Sequence, residues 1–353
     1  MWTGTIPSME LLKTLEFFFF PMHGIAMGIK EIAKEANVSV ATVSRVLNGT
    51  KFVSEELQRK VLEVIERQGY VANHVARSMV LKKTFTVGLI MPVVSELYHQ
   101  MIFTHAEFIL EEAGYKVLVC RVKDTAQSVQ SYLDLLLENR VDGMILMHET
   151  SNPKVLEQLK KSQIPIVLTG IDIPGLSFPQ VRIDDYQAAY DGTKYLLSHG
   201  RKRIALIGGW GYSVGDKRLE GYKTALSEAG LEIDSSLVIP GFYTMQSGSQ
   251  AVNYLIRERI KFDAVFALSD EMAVGVMKEL LEQGKEIPSD VAVLGFDGIE
   301  LGRYTNPTLA TVKQPIEQIG ELAAERLLAM LNGEESEDSL ILPHSISSGS
   351  SVG

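Results

Sequence analysis

Arg45 follows Ala41 by four residues in the stretch Ile29–Asn48, IKEIAKEANVSVATVSRVLN. On a helix that spacing points both side chains the same way. A guanidinium so placed can donate a bidentate pair to guanine O6 and N7. Val40 and Ala41 beside it can meet thymine methyls. Thr42, Ser44 and the backbone N–H groups near Ser39 can hold phosphates. This is the chemistry of recognition, and nothing in the chain pairs a nucleophile with a base. His99, His105, His148 and His199 are scattered, with no cysteine partner and no metal-ligand spacing. His105 and His148 could reach a cleft, but solvated or packed imidazoles are the plainer reading. Gly208-Gly209-Trp210-Gly211 lacks the Lys-Ser/Thr of a phosphate-binding loop and reads as a strand-to-helix turn. No cofactor, metal or enzymatic activity is expected.

Three short helices must position the reading residues. Ile32, Ala33 and Ala36 share a face of the first, Ile29–Ala36. Asn37-Val38-Ser39 is a turn, and Ser39 can cap a second helix, Val40–Leu47, by accepting its free first-turn N–H groups. Val38, Val43, Val46 and Leu47 then face inward, leaving Val40, Ala41, Ser44 and Arg45 outside. Ser54 caps the third helix, and Leu57, Val61, Val64 and Ile65 form its apolar face. In a helix-turn-helix the second helix enters the major groove N-terminus first. By spacing alone, the same pattern suits a helical hairpin of some other fold, with Arg45 a solvated charge.

The charge distribution is asymmetric. The whole chain carries −10, yet residues 27–84 hold ten lysines and arginines against six acids, a head of +4. Residues 85–353 hold 23 against 36, a body of −13. A basic head suits polyanionic phosphate and an acidic body does not. Cys120 is the only cysteine, so no intrachain disulfide forms; its apolar surroundings read as core, and a reducing cytoplasm is the expected setting. Residues 1–26, with Phe17–Phe20 and Pro21, lack the basic start and cleavage site of a secretory signal and are too short and charged to span a membrane. They read as a disordered arm or a mis-assigned start ahead of Met27.

The expected organisation is a helix-turn-helix domain over 27–73, a hinge over 74–84 too short to be stable alone, and a body over 85–353. From Phe85 the pattern becomes β/α alternation. Candidate strands are Thr86–Met91, Lys116–Arg121, Gly143–Met147, Ile166–Thr169, Val181–Ile183, Arg203–Ile207, Ala264–Ala267 and Val291–Gly295. Several are continuous apolar runs, as in parallel sheets covered on both faces. They are too many for one sheet. Two doubly wound lobes fit better: about 85–183 with 316–341, and about 184–315 with the C-terminal tail. The fold class is thus an all-α head on an α/β core of two parallel-sheet lobes.

The head motif, with Asn48-Gly49, Phe52-Val53-Ser54, Gln68-Gly69-Tyr70 and Asn73-His-Val-Ala-Arg-Ser78, closely resembles the lactose-repressor (LacI/GalR) family of bacterial regulators. Glu112-Ala-Gly-Tyr115, Val141-Asp-Gly143, Arg218-Leu-Glu-Gly-Tyr222, Ser269-Asp270 with Ala273, Gly295-Phe-Asp297 and Pro307-Thr-Leu-Ala-Thr-Val-Lys-Gln-Pro315 fall in family order. The resemblance covers about residues 28–345. It implies a homodimer, in some members a tetramer, a hinge helix that orders in the minor groove, and a core like the type I periplasmic binding proteins. Two-fold symmetry would make the operator approximately palindromic.

The resemblance implies base reading by Val40, Ala41 and Arg45, and hinge contacts from Asn73, Ala76, Arg77 and Met79. Met79 stands where the family usually places its leucine wedge. Methionine is apolar enough to wedge but loses more side-chain entropy on ordering. In the body it implies an interlobe effector gripped by Arg218 and Asp297, with Asp270 and Ser269 nearby; by position, Asp172 after the strand Ile166–Thr169 could also face the cleft, and Tyr98, Phe103 or Trp210 could supply an aromatic platform. An arginine among carboxylates reads as a site for a sugar or sugar derivative, though sugar phosphates, nucleosides and purines are also family effectors. Two other classes compete. A solute-binding protein would share the core, but the basic head and missing secretory signal argue against it. An enzyme on the same fold would need a catalytic constellation that is not seen.

Overall fold

The computed structural model describes residues 28–48, 53–68, 83–93, 96–123, 126–209, 213–334 and 339–353. The expected hinge residues Asn73, Ala76, Arg77 and Met79 lie outside them, as do residues 1–26 and Trp210. The chain forms two compact units, divided between Lys82 and Lys83.

In the first unit, α1 (Ile29–Glu35), α2 (Val40–Asn48) and α3 (Glu55–Gln68) surround a very small core. Ile32, Ala33, Ala36, Val43, Val61 and Val64 are buried in it, with Val38, Val46 and Ile65 packed alongside. Leu57 departs from expectation: it sits in the first turn of α3 and is exposed rather than part of the apolar face. The side chain of Leu47 lies outside the described ones. Glu35 at the end of α1 accepts from Arg67 and from Gln68 at the end of α3, tying the two helices together.

The second unit holds two six-stranded sheets. Its elements run β1 (Thr86–Pro92), α4 (Glu96–Glu112), β2 (Lys116–Val122), α5 (Ala126–Glu138), β3 (Gly143–Leu146), α6 (Pro153–Lys161), β4 (Ile166–Thr169), β5 (Gln180–Ile183) and α7 (Asp185–Ser198). They continue with β6 (Ile204–Gly208), α8 (Ser213–Glu228), β7 (Val238–Pro240), α9 (Met245–Arg257), β8 (Ala264–Ala267), α10 (Asp270–Glu282), β9 (Ala292–Asp297), β10 (Ala310–Lys313), α11 (Ile316–Leu331), β11 (Ser339–Leu342) and β12 (Ser345–Ser347). Strand order is β11-β5-β4-β3-β1-β2 in one lobe and β12-β10-β9-β8-β6-β7 in the other. The two orders are the same when each lobe is counted from its own first strand. All pairings are parallel except β10 with β12.

Central strands β3, β4, β6, β8 and β9 are buried along their whole length, which is why they read as unbroken apolar runs. The chain passes between lobes after β5, between β10 and α11, and between β11 and β12. Strands β7, β10, β11 and β12 were not among the expected ones; each is only three or four residues long. Cys120 is buried in the first lobe and burial pushes its thiol pKa up, as befits a core residue. Among the described residues no helix is long and apolar enough to cross a membrane.

Candidate functional site

On α2 the residues expected to read DNA divide cleanly. Val40, Ala41 and Arg45 are exposed, and Val40 keeps 42% of its surface. Ser39 Oγ accepts from Thr42 N–H at 3.0 Å and lies 2.9 Å from Thr42 Oγ1. Thr42 is therefore half-buried and engaged with its own cap, not turned outward. Ser44 is half-buried as well.

In the second unit a cavity of about 580 Å3 opens between the lobes. It lies beyond the carboxyl ends of β1, β2, β3 and β4 on one side and β6, β7, β8 and β9 on the other. These are the ends at which open parallel sheets bind ligands, around the point where strand order reverses. Its volume is that of a small-molecule site.

Arg218, on α8, reaches the wall from a buried position. Its Nε and Nη2 lie 2.9 Å from Asp185 Oδ1, and its Nη1 donates to the Leu268 carbonyl at 3.0 Å. Its guanidinium carbon sits 3.7 Å from the centre of the Phe296 ring, a cation–π contact. Burial alone would lower the Arg218 pKa, but Asp185, Tyr243, Asp297 and Tyr98 around it hold it above its ordinary value. Asp185 is itself raised by burial, against the pull of Arg218.

The Arg-Leu-Glu-Gly-Tyr motif has a mechanical reading. A Cβ on Gly221 would come within 2.2 Å of the Tyr186 carbonyl, so α7 and α8 cross at backbone contact, and that crossing brings Asp185 to Arg218. Tyr222 then donates to the Ile204 carbonyl at 2.7 Å, pinning α8 to β6.

Asp297 is buried on the cavity wall with φ at +112°, a strained conformation for a non-glycine residue. Gln314 Nε2 donates to its Oδ1 at 2.8 Å, and Tyr98 Oη donates to Gln314 Oε1 at 3.1 Å. Burial pushes the Asp297 carboxyl well above the carboxylate range, with Arg218 opposing. Tyr98 is thus part of a polar chain from lobe to lobe as well as an aromatic wall. A Cβ on Gly170, at φ +67°, would press on its hydroxyl at 3.1 Å.

Three expected ligand residues are not on the wall. Asp270 Oδ2 accepts from Gly298 and Ile299 N–H, both at 2.8 Å, and its Oδ1 accepts from Thr311 Oγ1 at 2.6 Å. It holds the turn after Asp297, and burial raises its pKa to about 7. Ser269 caps α10, accepting from Met272 N–H at 3.1 Å. Asp172 pairs with Lys217 Nζ across the lobes at 2.7 Å, which with Gln180 holds its pKa below the ordinary value against burial. Phe103 packs on the core and His105 lies near Glu321, both away from the cavity, whereas His99 and His148 line it.

Sequence reasoning missed Asp185, Tyr243, Gln314 and Glu149. Tyr243 lines the cavity with φ +56°, its ring filling the space a Cβ on Gly209 would need, at 2.7 Å. Glu149, just beyond β3, crosses to the other lobe. Its Oε2 accepts from Ser213 N–H at 2.7 Å and its Oε1 from Val214 N–H at 3.2 Å, and burial raises its pKa to about 7. The available signal was position: Asp185 and Glu149 each follow a strand end, where such sheets carry their sites. Among the described residues no group of three or more His, Cys, Asp or Glu gathers to hold a metal.

A helix-turn-helix with Val40, Ala41 and Arg45 exposed on its second helix, on the same chain as a two-lobed α/β unit with an interlobe cavity, defines a ligand-responsive regulator of transcription. The family model for bacterial regulatory proteins of the lacI family matches residues 28–73. The model for periplasmic binding proteins and the sugar binding domain of the LacI family matches 84–348. Catabolite control protein A of Priestia megaterium is 37% identical over 321 residues, covering 90% of this chain and 97% of that protein. The transcriptional regulator CelR, solved as a cellobiose complex, superposes with a TM-score of 0.70 at 29% identity, covering 92% of this chain and 99% of that one. The lac repressor dimer bound to operator and the anti-inducer ONPF gives 0.81 at 23% identity, with the same coverage, a likeness in fold. The chain belongs to the LacI family of bacterial regulatory proteins. It is a DNA-binding transcriptional regulator with an effector-binding domain, and not a solute-binding protein.

Proposed function

We propose that this regulator is a cytoplasmic repressor of a sugar-utilisation or related metabolic operon, controlled by a sugar or sugar derivative in the interlobe cavity. It binds an approximately palindromic operator as a homodimer, reading bases with Val40, Ala41 and Arg45, and it carries out no reaction. The segment 74–84 acts as the hinge, with Asn73, Ala76 and Arg77 on DNA and Met79 as wedge. Effector contacts come from Arg218, Asp297 and Tyr98, with Trp210 as a further aromatic. The observation that carries the effector reading is the cavity itself. Asp297 and Tyr98 face it beside the Arg218–Asp185 pair, and the tyrosine ring of Tyr243 offers the kind of platform a sugar face needs.

The test is a gel shift with DNA upstream of the neighbouring genes, with and without sugars, nucleosides and purines. Arg45→Ala should weaken specific operator binding and keep effector binding. Asp297→Ala should keep operator binding and lose the response. An operator affinity that is the same with and without a ligand bound in the body would sink the coupling.

A further inference from the structure

The start of α8 is where an anionic effector would dock. A helix of 16 residues presents free N–H groups and a positive dipole end there, facing the cavity. That seat is taken by the chain's own carboxylate: Glu149, from the opposite lobe, accepts from Ser213 N–H at 2.7 Å and Val214 N–H at 3.2 Å. Arg218, the buried guanidinium on the wall, is likewise committed, with Asp185 on one edge and the Leu268 carbonyl on the other. Lys217, one residue earlier, is held by Asp172. Asp297 adds a second carboxylate to the wall. Of the described lining residues the remaining basic side chains are Lys123, exposed at the end of β2, and His99 and His148.

We infer that the cavity is charge-selective: Glu149 closes the anion seat of α8, so the effector is an uncharged polyol such as a free sugar, and its phosphate ester is rejected. The inference deepens the sugar reading above and rests on it for the identity of the ligand, but not for the sign of the charge. A phosphate brought to this wall finds the Ser213 and Val214 N–H groups already occupied by the Glu149 carboxyl, and the Arg218 guanidinium committed to Asp185 and the Leu268 carbonyl.

The full-length protein is titrated calorimetrically with glucose, ribose and cellobiose, with their phosphate esters, and with inorganic phosphate. Whichever free sugar binds should bind at least about tenfold more tightly than its own ester. Glu149→Ser should shrink that ratio and create saturable binding of inorganic phosphate that the parent protein lacks. Glu149→Asp, which keeps a carboxyl group, should not. Operator binding and a cooperative melt show that each variant is folded. An ester bound as tightly as its free sugar, or saturable inorganic phosphate at the cavity of the parent protein, overturns the inference and leaves the regulator reading standing. If no sugar of either kind binds, the sugar reading falls, and the phosphate arm alone decides the charge inference.

Discussion

Asp185 is a charge that the fold cannot do without. It and Arg218 are both buried, so removing one leaves the other without a counter-charge in the core. Asp185→Ala should destabilise the second unit by about 3–5 kcal/mol, read as a loss in denaturant midpoint. A change below about 1 kcal/mol would mean that the pair is hydrated rather than buried. Arg45 is the opposite case, exposed and with no structural task among the contacts described. Arg45→Ala should leave the melt unchanged and cost about 1–3 kcal/mol of operator discrimination, with non-specific DNA binding retained. The carboxyls of Glu149 and Asp270 are both raised by burial to about 7. Since folded values lie above unfolded ones, their contribution is complete below about pH 4 and lost as pH rises through 7. The second unit should therefore melt lower at pH 8 than at pH 6. Glu149→Gln should flatten part of that slope, since a buried amide there has no proton to release as pH rises. A melt that rises over this range would contradict the burial of both groups.

Elements with a single strong signal were legible. Ile32, Ala33, Ala36, Val43, Val61 and Val64 mark a helix spacing that the first unit uses as written. The buried central strands announced themselves as apolar runs. Edge strands did not, because Ser339–Leu342 and Ser345–Ser347 are short and bury one face at most. Helix α4 blurs its own period, with Leu97 and Phe108 exposed while Tyr98 and Ile102 are buried. At the site, Arg218 and Asp297 stood at legible motif positions, but nothing local distinguishes Asp270, which turns to a loop, from Asp297, which turns to the cavity. That depends on which oxygen meets the N–H groups of Gly298 and Ile299. Packing at this level is testable. Gly221→Ala should force α7 and α8 apart and cost about 1–3 kcal/mol, seen in the denaturant midpoint. An unchanged midpoint would show the crossing to be looser than 2.2 Å implies.

At the scale of the molecule, recognition and sensing sit on different units, so each can fail alone. Effector should change operator affinity by about 5–150-fold without changing which bases matter. Protection of the operator from cleavage should be two-fold symmetric, as a dimer requires. A single asymmetric footprint would refute the dimer reading. The lobes are tied by Asp172 to Lys217, by Glu149 to the start of α8, and by the chain from Tyr98 through Gln314 to Asp297. On the proposed reading, a ligand that breaks any of these ties would free the lobes to change their angle.

The repeated passage of the chain between lobes has a consequence for biosynthesis. The first lobe's sheet is completed by β11, and the second lobe's by β12 and by the buried Ser351, whose Oγ donates to the Val293 carbonyl and accepts from Ala310 N–H. On a ribosome the three-helix head is free to fold hundreds of residues before either lobe has its last strand. A chain stopped before Ser339 would therefore keep the three helices of the head and lack the last strand of both sheets, so late stop codons are expected to cost the effector response.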